Sequence, residues 1–293
     1  MRSLNRQIRS AYCFSDNRAV LRRPLEPGKD AAFQADQQLY PLLELADFQR
    51  TTWMLPGRRA GLWWGRKVAE LWDALPVGEH GFVASEENPA DDASELPFPL
   101  STQIVYWLAA TRMEELSEVL RVEHDFGATA RALAGAVAQH FEVDGPLGRQ
   151  WAYEIDGRGA HRLYHDANDL PTALAPLLGF CDAGDPVWAA TMRFALSEHN
   201  PGYCAGPFGG LGSGHTLGTW TLGDVQEWVA ASLFGERDAA ERALARLLAV
   251  AGPDGLLPEA YDPLTGGAPV RHWFAWPGAA LATLLWEAQP GRR

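Results

Sequence analysis

Apolar positions recur with helical spacing over most of this chain. Leu170, Leu174, Leu177, Leu178 and Cys181 stand at i, i+4, i+7, i+8 and i+11, one stripe of an amphipathic helix. Phe126, Ala130, Leu133, Ala134, Val137 and Phe141 repeat the pattern, as do Ala240, Ala243, Leu244, Leu247, Leu248 and Ala251. Further helices are expected at about 33–48, 62–75, 100–121, 187–197, 222–234 and 278–288, which makes nine. Between them run long polar loops, 78–99, 143–169, 200–219 and 252–276, holding most of the Gly, Pro and paired aromatics. Extended structure is expected only in short pieces, such as Gln150 to Ile155 ahead of the Asp156-Gly157 turn. Loops this long in a compact domain tend to be functional. The pattern therefore predicts an all-α domain over 31–290, an α/α toroid with chemistry in its loops, after a poorly defined segment 1–30.

Composition narrows the partners. A net charge of −12 argues against nucleic acid and anionic membrane, both of which call for a basic face. Cys13, Cys181 and Cys204 show no CxxC spacing, so neither a disulfide framework nor a zinc site is indicated. Cys181 reads as a small buried hydrophobe on its helix face. No run is apolar enough to span a bilayer, and Met1 to Asp30 lacks the apolar core of a signal peptide. A soluble, reducing, cytoplasmic setting is expected. The 12 Trp exceed what a core of this size needs, so some aromatic faces are expected to meet a ligand.

Four loop clusters carry candidate chemistry. Glu86, Glu87, Asp91 and Asp92 crowd into seven residues, and mutual repulsion raises the pKa of any member that is also desolvated. That is how a carboxylic acid stays protonated for general-acid work, though the same residues would also serve as a solvated acidic loop. His165-Asp166-Ala167-Asn168-Asp169 precedes a helix that Asp169 would cap, leaving Asp166 and Asn168 for sugar hydroxyls. Gly212-Ser213-Gly214-His215-Thr216 with Trp220 offers an imidazole beside an indole, a pair suited to a pyranose ring or to a core. Lastly, Glu259 follows a turn at Asp254-Gly255, and Arg271-His272-Trp273-Phe274-Ala275-Trp276 opens the final helix.

The glycines of 206–214 lack a phosphate loop's Lys-Ser/Thr ending, and no GxSxG or Cys/His arrangement supports nucleophilic catalysis. His165 and His215 are too isolated for recognisable metal spacing, so no metal or cofactor is expected.

Taken in order, these segments resemble glycoside hydrolase family 125, the metal-independent exo-α-1,6-mannosidases. Pro89-Ala90-Asp91-Asp92-Ala93 resembles the family's Pro-Ser-Asp-Asp-Ala, with Asn88 where the family has Arg. Tyr153-Glu154-Ile155-Asp156-Gly157 resembles Tyr-Glu-Val-Asp-Gly, and Asp166-Ala167-Asn168 resembles the end of Asp-Asp-Ala-Asn, with His165 in place of its first Asp. Asn200-Pro201, Gly212 to Thr216, Glu259 and Arg271 to Trp276 follow in the family's order, and the likeness covers about 79–288.

The resemblance implies an (α/α)6 toroid of the six-hairpin glycosidase type and metal-free hydrolysis with inversion. Such a reaction needs an acid and a base roughly 6.5–9.5 Å apart, with room for a water between. It also implies an acid from Asp91 or Asp92, with Asp92 favoured, and Glu259 as the base. Asp166, Asn168, His215 and Arg271 would line the sugar site, with Trp220, Trp273 and Trp276 as stacking surfaces. The family's N-terminal Gly-Asp-Ile and Met-Trp-Leu-Arg-Asp-Ser segments have no counterpart here, so the chain is expected to enter the toroid partway. An oligosaccharide or glycoside is the expected substrate. The alternatives are an (α/α)6 hydrolase of α-glucosides and a carbohydrate-binding remnant without activity.

Overall fold

The computed structural model describes residues 32–52, 58–268 and 273–287, which fall into two compact units. One comprises the described residues up to Asn88 together with Ala93–Gln139; the other comprises Pro89–Asp92 and the described residues from His140 on.

In the first unit, helices α1 (Ala35–Thr52) and α2 (Arg58–Trp72) pack on α3 (Leu100–Leu120). α3 buries residues on most of its circumference, as a central helix must. Gly65 lets α2 approach the end of α3, since a Cβ there would lie 1.9 Å from the Leu120 carbonyl oxygen. Helix α4 (Phe126–His140) buries Phe126, Ala130, Leu133 and Val137, the stripe its sequence predicts. The Trp72 indole meets the Phe126 ring edge-on at 4.8 Å. Buried Gln103 fastens the loop ahead of α3: its Oε1 accepts from Val83 N, and its Nε2 donates to the Val83 and Pro99 carbonyls.

The second unit opens with the hairpin β1 (Glu142–Gly145) and β2 (Gly148–Trp151), then β3 (Glu154–Ile155) and β4 (His161–Arg162) around the Asp156-Gly157 turn. Short helices α5 (Leu170–Ala173) and α6 (Ala175–Leu178) precede α7 (Pro186–Ala195), which packs on β2. The pairs β5 (Tyr203–Cys204) with β6 (Gly210–Leu211), and β7 (Thr219–Trp220) with β8 (Ala260–Tyr261), flank the helical hairpin α8 (Thr221–Phe234) and α9 (Arg237–Val250). Gly235, left-handed at φ 73°, turns that hairpin, and α10 (Ala275–Glu287) packs on α8.

Two expectations fail locally. The stripe from Leu170 to Cys181 is not one helix: Pro176 starts a new one and Gly179 ends it, each with a backbone the preceding turn cannot continue. Its buried face is Pro171, Thr172, Ala173 and Ala175, while Leu177 is exposed and Cys181 is only half-buried, beyond the helix. In α9 the buried set is Ala240, Ala243, Leu247 and Val250, and Leu248 is 80% exposed. No helix among the described residues is long and apolar enough to cross a membrane.

Candidate functional site

Backbone geometry delivers Asp92. Its predecessor Asp91 adopts φ 61°, the left-handed region that non-glycine residues seldom enter. Asp91 stays exposed, whereas Asp92 is partly buried, with 29% of its side chain accessible. Its Oδ1 lies 3.4 Å from His215 Nδ1. Burial raises the Asp92 carboxyl above its ordinary value and the negative charge of Asp166 adds to this; His215 pulls the other way.

Asp166 is fully buried and spends its oxygens on the loop around it. Oδ1 accepts from Asn168 N at 2.8 Å, and Oδ2 accepts from the Tyr164 hydroxyl at 2.7 Å and from Gly214 N at 3.3 Å. Asn168 donates from Nδ2 to the Ala90 carbonyl at 2.8 Å, tying this loop to the segment that carries Asp92. Its buried Oδ1 has no partner among the described residues. Asp169 stands at the N-cap of α5, but its side chain makes no capping bond.

The loop is held from beneath by Gln226 of α8. Its Nε2 donates to the carbonyls of Ala167 (2.7 Å), Asp166 (3.1 Å) and Asp169 (3.2 Å), while its Oε1 lies 2.7 Å from His165 Nε2. Burial depresses the His165 pKa, so the ring is neutral and donates through Nε2 to the Gln226 oxygen. Asn200 completes the clamp, accepting from His165 N and donating to the His165 carbonyl.

Neither Gln226 nor Tyr164 is among the residues the motifs pick out. Gln226 was nonetheless visible as an amide beside Leu222, Val225 and Val229 on the inward stripe of a helix, where a buried polar group must be serving something. Tyr164 carried no signal beyond standing two residues before Asp166. The Arg162 guanidinium lies over its ring, 4.4 Å from the centroid.

Ala167, Leu211, Trp220 and Ala260 form one buried cluster, with Leu196 and Phe274 packed against it. Each of three candidate segments thus contributes to the cluster: Ala167 lies between Asp166 and Asn168, Trp220 stands five residues after His215, and Ala260 follows Glu259. Pairing of β7 with β8 sets Trp220 opposite Ala260, and Glu259 itself is 1% exposed. Glycines allow the close approaches. A Cβ on Gly212 would sit 2.6 Å from the Gly218 carbonyl oxygen; one on Gly218 (φ 123°) would sit 2.6 Å from that of Tyr261.

The expected stacking rings behave differently. Trp220 is fully buried, edge-on to His215 at 6.3 Å and to Phe274 at 5.9 Å, and its Nε1 donates to the Thr216 carbonyl. Having no exposed face, it is core rather than a sugar platform, because the strand pair that carries it is enclosed by that cluster. Trp273, 56% exposed, lines an apolar groove of about 550 Å³ with Leu247, Leu248, Leu257 and Leu285. Trp276, 43% exposed, stacks on Phe274 at 5.4 Å. Arg271 lies outside the described residues. Among the described residues no three His, Cys, Asp or Glu side chains are grouped to hold a metal ion.

Comparison with known proteins follows the same segments. The family model of the metal-independent α-mannosidases (GH125) matches residues 71–286. The meiotically up-regulated gene 157 protein of Schizosaccharomyces pombe is 30% identical over 215 residues, which are 69% of this chain and 41% of that protein. This chain therefore spans well under half of that relative. Among solved structures, a metal-independent α-mannosidase of Streptococcus pneumoniae, in a non-productive complex with α-1,6-mannobiose, superposes with a TM-score of 0.76. It is 19% identical, and the match covers 88% of this chain and 69% of that one. A bacterial glucoamylase complexed with acarbose follows at TM-score 0.63 and 14% identity, covering 87% of this chain and 41% of the other. These likenesses show the fold class, an all-α toroid of the (α/α)6 type.

Proposed function

The chain belongs to glycoside hydrolase family 125, the metal-independent α-mannosidases, and on that footing we propose that it is an exo-acting, inverting α-mannosidase. Residues 31–290 form its hydrolase domain, working on an oligosaccharide or glycoside in the cytoplasm. Asp92 is the general acid and Glu259 the general base. One observation carries the assignment: two carboxyls from distant loops stand in opposite surroundings. Asp92 is half-open, beside His215, with a raised pKa, and Glu259 is enclosed.

The raised pKa keeps Asp92 protonated towards neutral pH, ready to deliver its proton to the glycosidic oxygen as the bond from C1 breaks. A water on the opposite face of the sugar attacks C1 and loses its proton to Glu259, and the new C1–OH has inverted configuration. Asp92 regains its proton from solvent through its exposed edge, and Glu259 releases the one it took. Asp91, the more exposed of the two, is the weaker candidate for the acid. Asn168, through its spare oxygen, with His215 and Arg271, holds the sugar, and Asp166 keeps that loop in shape. Trp273 and Trp276 are the rings left to stack.

The pneumococcal relative was solved with α-1,6-mannobiose, so that disaccharide and an aryl α-mannoside should be tested beside the matching α-glucosides. Release of mannose and not glucose is expected. Glucose release alone would favour the α-glucosidase reading, and calorimetric binding with no hydrolysis over days would favour a carbohydrate-binding remnant.

A further inference from the structure

The first turn of α8 grips the segment from Pro258 to Tyr261 at three points. Thr221 Oγ1 donates to the Pro258 carbonyl at 2.5 Å and Thr221 N to the Glu259 carbonyl at 3.3 Å. One turn on, buried Asp224 accepts the Tyr261 hydroxyl on Oδ2 at 2.6 Å. Thr221 and Asp224 are three residues apart on a helix, so they share a face and reach the strand together. Behind them Arg246 of α9 donates from Nε to Asp224 Oδ1 at 2.8 Å and reaches Glu227 with its second prong. Gly218 packs closely against the Tyr261 carbonyl.

A carboxylate with no exposed surface is costly unless every lone pair is engaged, and here a phenol and a guanidinium engage it. The arrangement lies in no motif discussed above. Its one common product is a fixed path for Pro258 to Tyr261.

We propose that Tyr261, Asp224 and Arg246 are positioning residues that hold Glu259 where it can take a proton from the attacking water. This rests on the reading of Glu259 as the base. Misplacing a catalytic group by about 1 Å costs on the order of a hundredfold in rate, whereas the sugar contacts proposed for Asn168 and His215 lie on other loops.

Tyr261→Phe deletes one hydroxyl and keeps the ring. With an aryl α-mannoside, kcat per folded molecule should fall about tenfold to a hundredfold while KM stays within about twofold. A purely structural role would lower Tm and leave kcat per folded molecule at the parent value, which overturns the proposal. Should Tyr261→Phe fail to fold, Arg246→Lys, which keeps a cation beside Asp224 and loses the two-pronged grip, takes its place. Lowered kcat at constant KM supports the proposal and unchanged kcat overturns it. Glu259→Gln, assayed in parallel, separates the two layers. If it still turns over, the base assignment fails and the proposal with it; if it is dead while Tyr261→Phe matches the parent, only the positioning role falls.

Discussion

Asp92 and Glu259 are both carboxyls that the sequence places in polar loops, yet their surroundings diverge. Asp92 follows a strained residue, keeps 29% of its side chain accessible and touches a histidine that is itself part-exposed. Glu259 keeps 1%, leads directly into a paired strand, and is fastened through its neighbours to a buried Asp–Tyr–Arg network. An acid that must be reprotonated at each turnover and must clear a departing aglycone needs access to solvent. A base that must aim at one water needs a fixed position and little bulk solvent. On the proposed assignment, rigidity and exposure are apportioned by role, so the two halves should break in different ways.

The largest contrast concerns what each half does when its scaffold is cut. Gln226→Ala strips three carbonyls and His165 of their partner beneath the Asp166–Asn168 loop, leaving several buried groups unsatisfied at about 1–3 kcal/mol each. The expected loss is about 3 kcal/mol and roughly 10 °C in Tm. The folded fraction should bind mannose more weakly, because Asn168 loses its setting. Thermal melts with calorimetry check both, and an unchanged Tm would show that the loop is held by something else.

A smaller effect sharpens the open half. The acid works protonated, so activity falls as pH rises through the Asp92 pKa. His215 lowers that pKa and Asp166 raises it. Removing the first should lift the pKa, and removing the second should lower it. The alkaline limb of kcat/KM is therefore expected to move to higher pH in His215→Asn and to lower pH in Asp166→Asn. Shifts of the same sign in both variants would mean that the limb reports some other group.

Much of this was legible in the sequence where physics is local. Helices α3, α4, α7 and α8 fall within about two residues of their expected ranges, because an apolar stripe at 3.6-residue spacing has few other ways to be buried. The segment 170–181 misled because its leucines are spaced like a buried stripe, while the small residues between them are what the core accepts. Spacing reports periodicity, not which face a partner covers.

Order along the chain pointed to Asp92, His215, Asn168 and Glu259, since their neighbours repeat a family's motifs. It could not show that Trp220 is sealed, nor that Tyr164, Gln226, Asp224 and Arg246 support the loops. Except for Tyr164, whose partner is two residues away, those roles exist only through contacts made far along the chain, such as Gln226 reaching Ala167 from 59 residues away.

The assignment of acid and base is tested most directly by varying the leaving group. Fluoride needs little help from an acid, and methoxide needs a great deal. With Asp92→Asn, turnover of α-mannosyl fluoride should stay within about tenfold of the parent, while hydrolysis of methyl α-mannoside should fall on the order of a thousandfold. Glu259→Gln should lose both substrates, and Asp91→Asn should keep both. Equal losses on the two substrates in Asp92→Asn, or the split appearing in Asp91→Asn instead, would contradict the account.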